Sequence, residues 1–293
     1  MTYVCVMINA VNIRLAETRD PQIQLIFTGL EISVNEPYLT DKGSYLSAET
    51  TIQALGHYAF NVRNRLGYPD ILYLLTGREA YGIRRGVQDT GLRGLGYNNG
   101  ICSSWFVALG EDKPGTFSGV DTFAHEVGHL LGASHDGEPA DVRYPQRPGA
   151  RNCPFAYGYL MSYLKRGAVS HHYSSCSLAQ MKYIVSTQAS SCWEVRATHT
   201  YNITRKYPGM TMNTTVYCQR LFAAKINVRA DASSSFTSMC MVRCLYSEEA
   251  TSNGQTSYKD VEALEYMKCG EQGQVCIQGT CAVPPKSWRI QAE

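Results

Sequence analysis

No apolar stretch in this 293-residue chain approaches 18 residues, so no transmembrane helix is expected. Charge of one sign is equally scarce. The 27 basic and 25 acidic residues leave a net +2, and basic residues gather only in short pairs such as Arg84-Arg85. A nucleic-acid or anionic-membrane partner would need a basic run or patch, so both are excluded as expectations. There is no internal repeat and no low-complexity tract. No C-x-x-C pair stands opposite a second pair or opposite histidines, which argues against a zinc ribbon. The opening residues MTYVCVMINAVNIRL lack a basic leader and a small-residue cleavage site. Val4, Ile8, Val11 and Leu15 instead form a helical stripe, and the chain reads as a fragment of a longer precursor.

What is abundant is cysteine. Eleven are too many for an ordinary cytosolic enzyme and point to an oxidising compartment, hence to secretion. They fall as Cys5 alone, then Cys102, Cys153, Cys176 and Cys192, then six between Cys218 and Cys281. The four and the six suggest two and three disulfides, and the four alone allow three pairings. The sequons Asn202-Ile203-Thr204 and Asn213-Thr214-Thr215 agree with a secreted glycoprotein.

At this length about two domains are expected, with a hydrophobic fraction of 44% sufficient for a core in the larger one. After the first helix, QIQLIFTGLEISV alternates Ile23, Leu25 and Phe27 inward as a strand would. Residues 47–67 read as a capped helix closed by Gly67, and DILYLLT (70–76) as a strand buried on both faces. GLRGLGYNN (91–99) reads either as an exposed edge strand or as a flexible loop, and SWFVALG (104–110) as a core strand. Alternating strands and long helices predict an α/β fold with a mostly parallel, twisted sheet. The boundaries drawn are 1–195 for this domain, 196–217 for a polar linker and 218–293 for a small disulfide-rich domain. That last segment holds few periodic apolar runs and needs cross-links to fold.

The chemistry sits in HEVGHLLGASHD, His125 to Asp136. Residues four apart on a helix share a face, so His125 and His129 are able to grip one metal ion with Glu126 at its rim. His135 cannot join them along a continuous helix, since ten residues rise about 15 Å. The chain must bend between His129 and His135, and Gly132 sits where a left-handed turn is needed. A lone histidine here would more often be a surface or satisfied core residue. The whole pattern arises by chance at a frequency on the order of 10⁻⁵.

The extended pattern H-E-x-x-H-x-x-G-x-x-H is the metzincin signature, and the Asp136 that follows resembles its adamalysin (reprolysin) branch. VNIRLAETRDPQIQLIFTGLEI resembles that family's first helix and second strand. DILYLLTG resembles its third strand, and GYNNGICSSWFVALGED its substrate-side edge and next strand. CPFAYGYLMSY places Met161 at the family's Met-turn. SHHYSSCSLAQ is similar to its F-S-x-C-S stretch, and KCGEQGQVCIQGTCAV to the end of the attached cysteine-rich modules. The overall look is closest to secreted reprolysin-like salivary metalloproteases of ticks. The resemblance implies a zinc endopeptidase acting on extended extracellular matrix or plasma proteins. His125, His129 and His135 would hold one Zn²⁺ and leave a position for water, and Glu126 would handle the water's proton. Asp136 would fix the bend and Met161 would lie beneath the histidines. The resemblance also implies Cys102–Cys192 and Cys153–Cys176 pairs, and a catalytic domain whose first strand is missing from this chain. A monomer is expected. A structural Ca²⁺ is left open, with no residue pattern to argue it. The alternative is a catalytically weak adhesive protein acting through its cysteine-rich domain.

Overall fold

The computed structural model describes residues 1–39, 43–142, 145–201, 204–231, 237–248 and 256–285. Their contacts form two compact units. The first gathers Met1, Arg14–Lys113 and Ser118–Asn202; the second gathers Thr2–Ile13, Pro114–Phe117 and Ile203–Glu293. Helix α1 (Thr2–Leu15) is therefore divided, most of it counted with the second unit.

In the first unit, strand β1 (Tyr45–Ser47) runs into helix α2 (Ala48–Val62). Ser47 caps that helix by accepting from the Thr50 amide, and Glu49 faces the positive end of its dipole. Ile52, Leu55 and Ala59 recur at helical spacing and bury against Leu46, Phe106, Val107 and Leu109. The helix ends at Val62, and a turn carries the chain to Gly67 at φ +76°.

Strands β2 (Leu72–Thr76), β3 (Glu79–Arg84), β4 (Val87–Asp89), β5 (Gly94–Gly96) and β6 (Val107–Glu111) follow. Where the sequence predicts one mostly parallel sheet, the ladders form two three-stranded sheets, ordered β2-β6-β5 and β1-β3-β4. Each has one parallel and one antiparallel pair. The β3–β4 hairpin turns at Arg85 and Gly86, both at positive φ, as a two-residue hairpin turn requires. In the first sheet β6 is central, with Val107, Ala108 and Leu109 fully buried. The DILYLLT strand, expected buried on both faces, is half-buried throughout, because among the described residues it has a neighbour on one side only. Strand β5 forms the other edge.

The alternation of residues 22–34 does not produce a strand. Ile23, Leu25 and Phe27 are half-buried while Gln22, Gln24 and Ile26 are exposed, yet no ladder is formed. A strand needs a paired neighbour, and a single backbone bond such as the Tyr201 amide donating to the Phe27 carbonyl does not make a ladder.

Helices α3 (Val120–Leu130) and α4 (Ser175–Thr187) complete the first unit, α4 capped by Ser174. Two disulfides lie here, Cys102–Cys192 and Cys153–Cys176.

The second unit holds helix α5 (Thr214–Leu221) and an antiparallel sheet of β7 (Ile226–Ala230), β8 (Met241–Ser247) and β9 (Thr256–Glu262). The β10 (Val275–Ile277) and β11 (Thr280–Ala282) hairpin follows. Its core is thin, built on Cys240, Cys269 and Cys276, and is stapled by Cys218–Cys244, Cys240–Cys276 and Cys269–Cys281. Cys5, buried in α1, stands outside the five disulfides. Of the two sequons, Asn202 lies outside the described residues. Asn213 is exposed, and its side-chain Oδ1 caps α5 by accepting from the Val216 amide.

Candidate metal centre

Helix α3 owes its position to two devices. Its apolar residues Val120, Phe123, Ala124, Val127 and Leu130 are buried, and its first turn carries Asp121 into a cluster of charge. Asp121 Oδ1 accepts from Arg14 Nη2 at 2.6 Å and lies 3.2 Å from His171 Nδ1, while Oδ2 meets Lys165 Nζ at 2.7 Å. Burial pushes this carboxyl up, but Arg14, His171 and Lys165 outweigh it and leave it well below its ordinary value of 3.8. A depressed folded-state pKa contributes stability that is present above the ordinary value and lost as pH falls through the folded one. Asp121→Asn should therefore cost about 3 kcal/mol near neutral pH, since it strips a buried guanidinium of its carboxylate. Thermal melts should show the gap to wild type constant above pH 5 and narrowing below pH 4. A gap that widens in acid would contradict the assignment.

The helix ends in a Schellman turn: the Gly132 amide donates to the His129 carbonyl and the Ala133 amide to that of Gly128, both at 2.8 Å. Gly132 has φ +94°. The reversal brings His135 back beneath the helix, and the ligand nitrogens of His125, His129 and His135 all lie within 4.8 Å of one another.

Hydrogen-bond partners settle the tautomers. His125 Nδ1 is 2.7 Å from the Leu160 carbonyl and His129 Nδ1 is 2.8 Å from that of Ala133. A carbonyl only accepts, so each Nδ1 carries the hydrogen and each Nε2 presents a lone pair. His135 Nδ1 faces the Glu138 carboxylate at 3.1 Å, with the same consequence. His129 Nε2 and His135 Nε2 thus point lone pairs at each other across 3.2 Å. Three converging imidazole lone pairs form a donor set suited to a cation such as Zn²⁺.

Burial keeps the His125 and His129 rings neutral. It drives His125 down to about 4, against the opposing hydrogen bond to Leu160. It holds His129 well below its ordinary value, helped by His125 and His135. The same burial pushes the Glu126 carboxyl up to about 8. Glu126 is 5% exposed and lies between α3 and strand β5. A Cβ at Gly94 would meet Glu126 Oε1 at 2.7 Å, and one at Gly96 would meet Oε2 at 3.2 Å, so the glycines of β5 make the space for that carboxylate.

Asp136 is buried, and its Oδ1 accepts from Ser174 Oγ at 2.5 Å and Ser177 Oγ at 3.4 Å. Burial raises its pKa, and the two hydroxyls pull against that. Met161 is fully buried beneath α3. Its sulfur would lie 2.8 Å from a Cβ at Gly128, so that glycine admits the methionine. One turn braces both ends of the motif, the Leu160 carbonyl holding His125 and the Met161 carbonyl accepting from the Asp136 amide at 3.0 Å.

Several neighbours escape the sequence reading. Tyr163 donates its hydroxyl to His135 Nε2 at 2.8 Å. Glu138 orients His135, and Gly128 accommodates Met161. The alternating glycines of β5 were a signal for close approach, but periodicity cannot say what approaches.

Residues 1–136 match the family model described as "Metallo-peptidase family M12B Reprolysin-like". Across 289 residues the chain is 28% identical to "A disintegrin and metalloproteinase with thrombospondin motifs like" of Bombyx mori, covering 93% of this chain and 40% of that protein. Over 148 residues it is 32% identical to "Venom metalloproteinase antarease-like TserMP_B" of Tityus serrulatus, covering 49% of this chain and 63% of that protein. "Venom metalloproteinase 3" of Eulophus pennicornis is 29% identical over 138 residues, 46% of this chain and 34% of that protein. The chain thus spans less than two thirds of the length of these relatives. Residues 1–136, which carry the three histidines in the order and bend just described, are thus similar to the M12B reprolysin-like metallopeptidases.

Proposed function

We propose that the chain is a secreted zinc endopeptidase that hydrolyses peptide bonds of extracellular proteins. The observation that carries this reading is the convergence of three Nε2 lone pairs beside a buried glutamate that is not one of the converging groups. His125, His129 and His135 would hold the ion. Zinc bound there supplies Lewis acidity, which acidifies a water and polarises a carbonyl. Glu126 accepts the proton of the attacking water at a carboxylate oxygen and returns it to the leaving amine nitrogen. The Leu160, Ala133 and Glu138 acceptors hold the three rings in the tautomer that ligation needs. An extended substrate would pair through its main chain with the outer side of β5, next to Glu126. In this reading residues 1–195 are the catalytic domain on a twisted sheet, 196–217 a linker, and 218–293 a cysteine-rich domain. Matrix or plasma proteins are the proposed substrates, and the chain acts as a monomer.

The test uses the purified full chain with quenched fluorescent peptides and measured zinc content. A chelator should remove cleavage, and one equivalent of zinc should restore it. His135→Ala should weaken zinc binding by more than about 100-fold, beyond what loss of an outer partner costs. Zinc held at wild-type affinity in that variant, or no cleavage by the zinc-loaded wild type, would overturn the reading.

A further inference from the structure

The three imidazoles differ in what stands behind Nδ1. His125 leans on a carbonyl of the buried Leu160–Met161 turn, and His135 leans on a half-exposed carboxylate. His129 leans on Ala133, which lies in the same bend that the helix has just made. A carbonyl in that bend fixes the ring only as firmly as something fixes the bend.

Asn98 does so. Its Nδ2 donates to the Ala133 carbonyl at 3.2 Å, beside His129 Nδ1 at 2.8 Å. A carbonyl oxygen has two lone pairs, so both donors are accommodated. On its other side Asn98 Oδ1 accepts from Arg147 Nη1 at 2.8 Å, and Arg147 is only 4% exposed. The main chain beside Asn98 is tied to the same helix end. The Asn99 amide donates at 2.8 Å to the His129 carbonyl, which also accepts from Gly132, and the Ile101 amide donates at 3.1 Å to that of Leu130. A chain of bonds thus runs from a buried guanidinium through an amide and a carbonyl to a ring nitrogen.

We propose that Asn98, anchored by Arg147, is a positioning residue for His129. It fixes the Ala133 carbonyl and with it the direction of the His129 Nε2 lone pair. This rests on the reading of the three imidazoles as a zinc site. Outer partners of ligating histidines set ring orientation and basicity, and their loss lowers metal affinity roughly 10- to 100-fold.

The test measures zinc affinity of the full chain by competition with a chromophoric chelator, for wild type, Asn98→Ala, Asn98→Asp and His129→Ala. Asn98→Ala should bind zinc roughly 10- to 100-fold more weakly, and the Co²⁺ form should show a shifted visible spectrum. Asn98→Asp keeps an acceptor for Arg147 but loses the N–H toward Ala133, and should lose affinity as Asn98→Ala does. Asn98→Asp leaves the buried Arg147 its acceptor, so the melting midpoint of that metal-free variant should stay where it is in wild type. Wild-type affinity in Asn98→Ala, while His129→Ala has lost its zinc, would overturn the proposal. A matching fall in the metal-free stability of Asn98→Asp would overturn it too, making Asn98 part of the fold only. A wild type that binds no zinc would take down the zinc reading itself.

Discussion

Glu126→Gln should lower peptide cleavage by on the order of 10³- to 10⁴-fold while leaving zinc bound. The side chain occupies the right place for proton handling and the wrong place for ligation. Its carboxylate turns toward the glycines of β5, while the converging nitrogens come from His125, His129 and His135. Glutamine keeps the shape and still fits over Gly94 and Gly96, so the fold has no reason to change. What it loses is an oxygen able to accept a proton from water and pass it to a leaving amine. The defect should therefore fall on kcat, with zinc stoichiometry near that of wild type. Turnover within tenfold of wild type would remove Glu126 from the proton path. Loss of zinc together with activity would make it part of the ion's support.

The three converging histidines are legible in the sequence because their signal is local. Helical spacing puts His125 and His129 on one face, and Gly132 marks the bend that an isolated third histidine requires. The cap at Ser47 and the apolar stripe of α2 are local in the same sense. Elements that depend on distant partners are not legible. Residues 22–34 carry a strand's alternation, but alternation reports which side chains face inward and cannot supply a ladder. DILYLLT has the composition of a central strand and takes a position with one neighbour, since composition does not count neighbours. Tyr163, Glu138 and Asn98 reach the site across 28, 3 and 35 residues of chain, and only Glu138 lies near enough in sequence for spacing to have suggested it. Gly94 and Gly96 were visible as glycines, yet the carboxylate that needs their missing side chains lies on another element.

Gly132 offers the second large effect, because two independent constraints meet there. Its φ of +94° is one that L side chains avoid, and a Cβ would lie 2.3 Å from Ile184 Cγ1 on helix α4. The conformational part costs about 1–2 kcal/mol. Forcing a methyl into a packed core costs about 1–3 kcal/mol more. Gly137 separates the two. It has φ +86°, yet a Cβ there would meet nothing nearer than the Phe155 amide nitrogen at 3.5 Å. Gly137→Ala should therefore carry the conformational cost alone, and Gly132→Ala the sum, about 2–5 kcal/mol. Relief of the clash moves the bend off α4 and carries His135 with it, so Gly132→Ala should also bind zinc more weakly, while Gly137→Ala should not. Denaturant melts of both metal-free variants, paired with zinc titrations, measure each quantity separately. Equal destabilisation of the two variants would mean that the contact with Ile184 contributes nothing. A destabilised Gly132→Ala chain with wild-type zinc affinity would mean that the bend tolerates displacement without moving the third histidine.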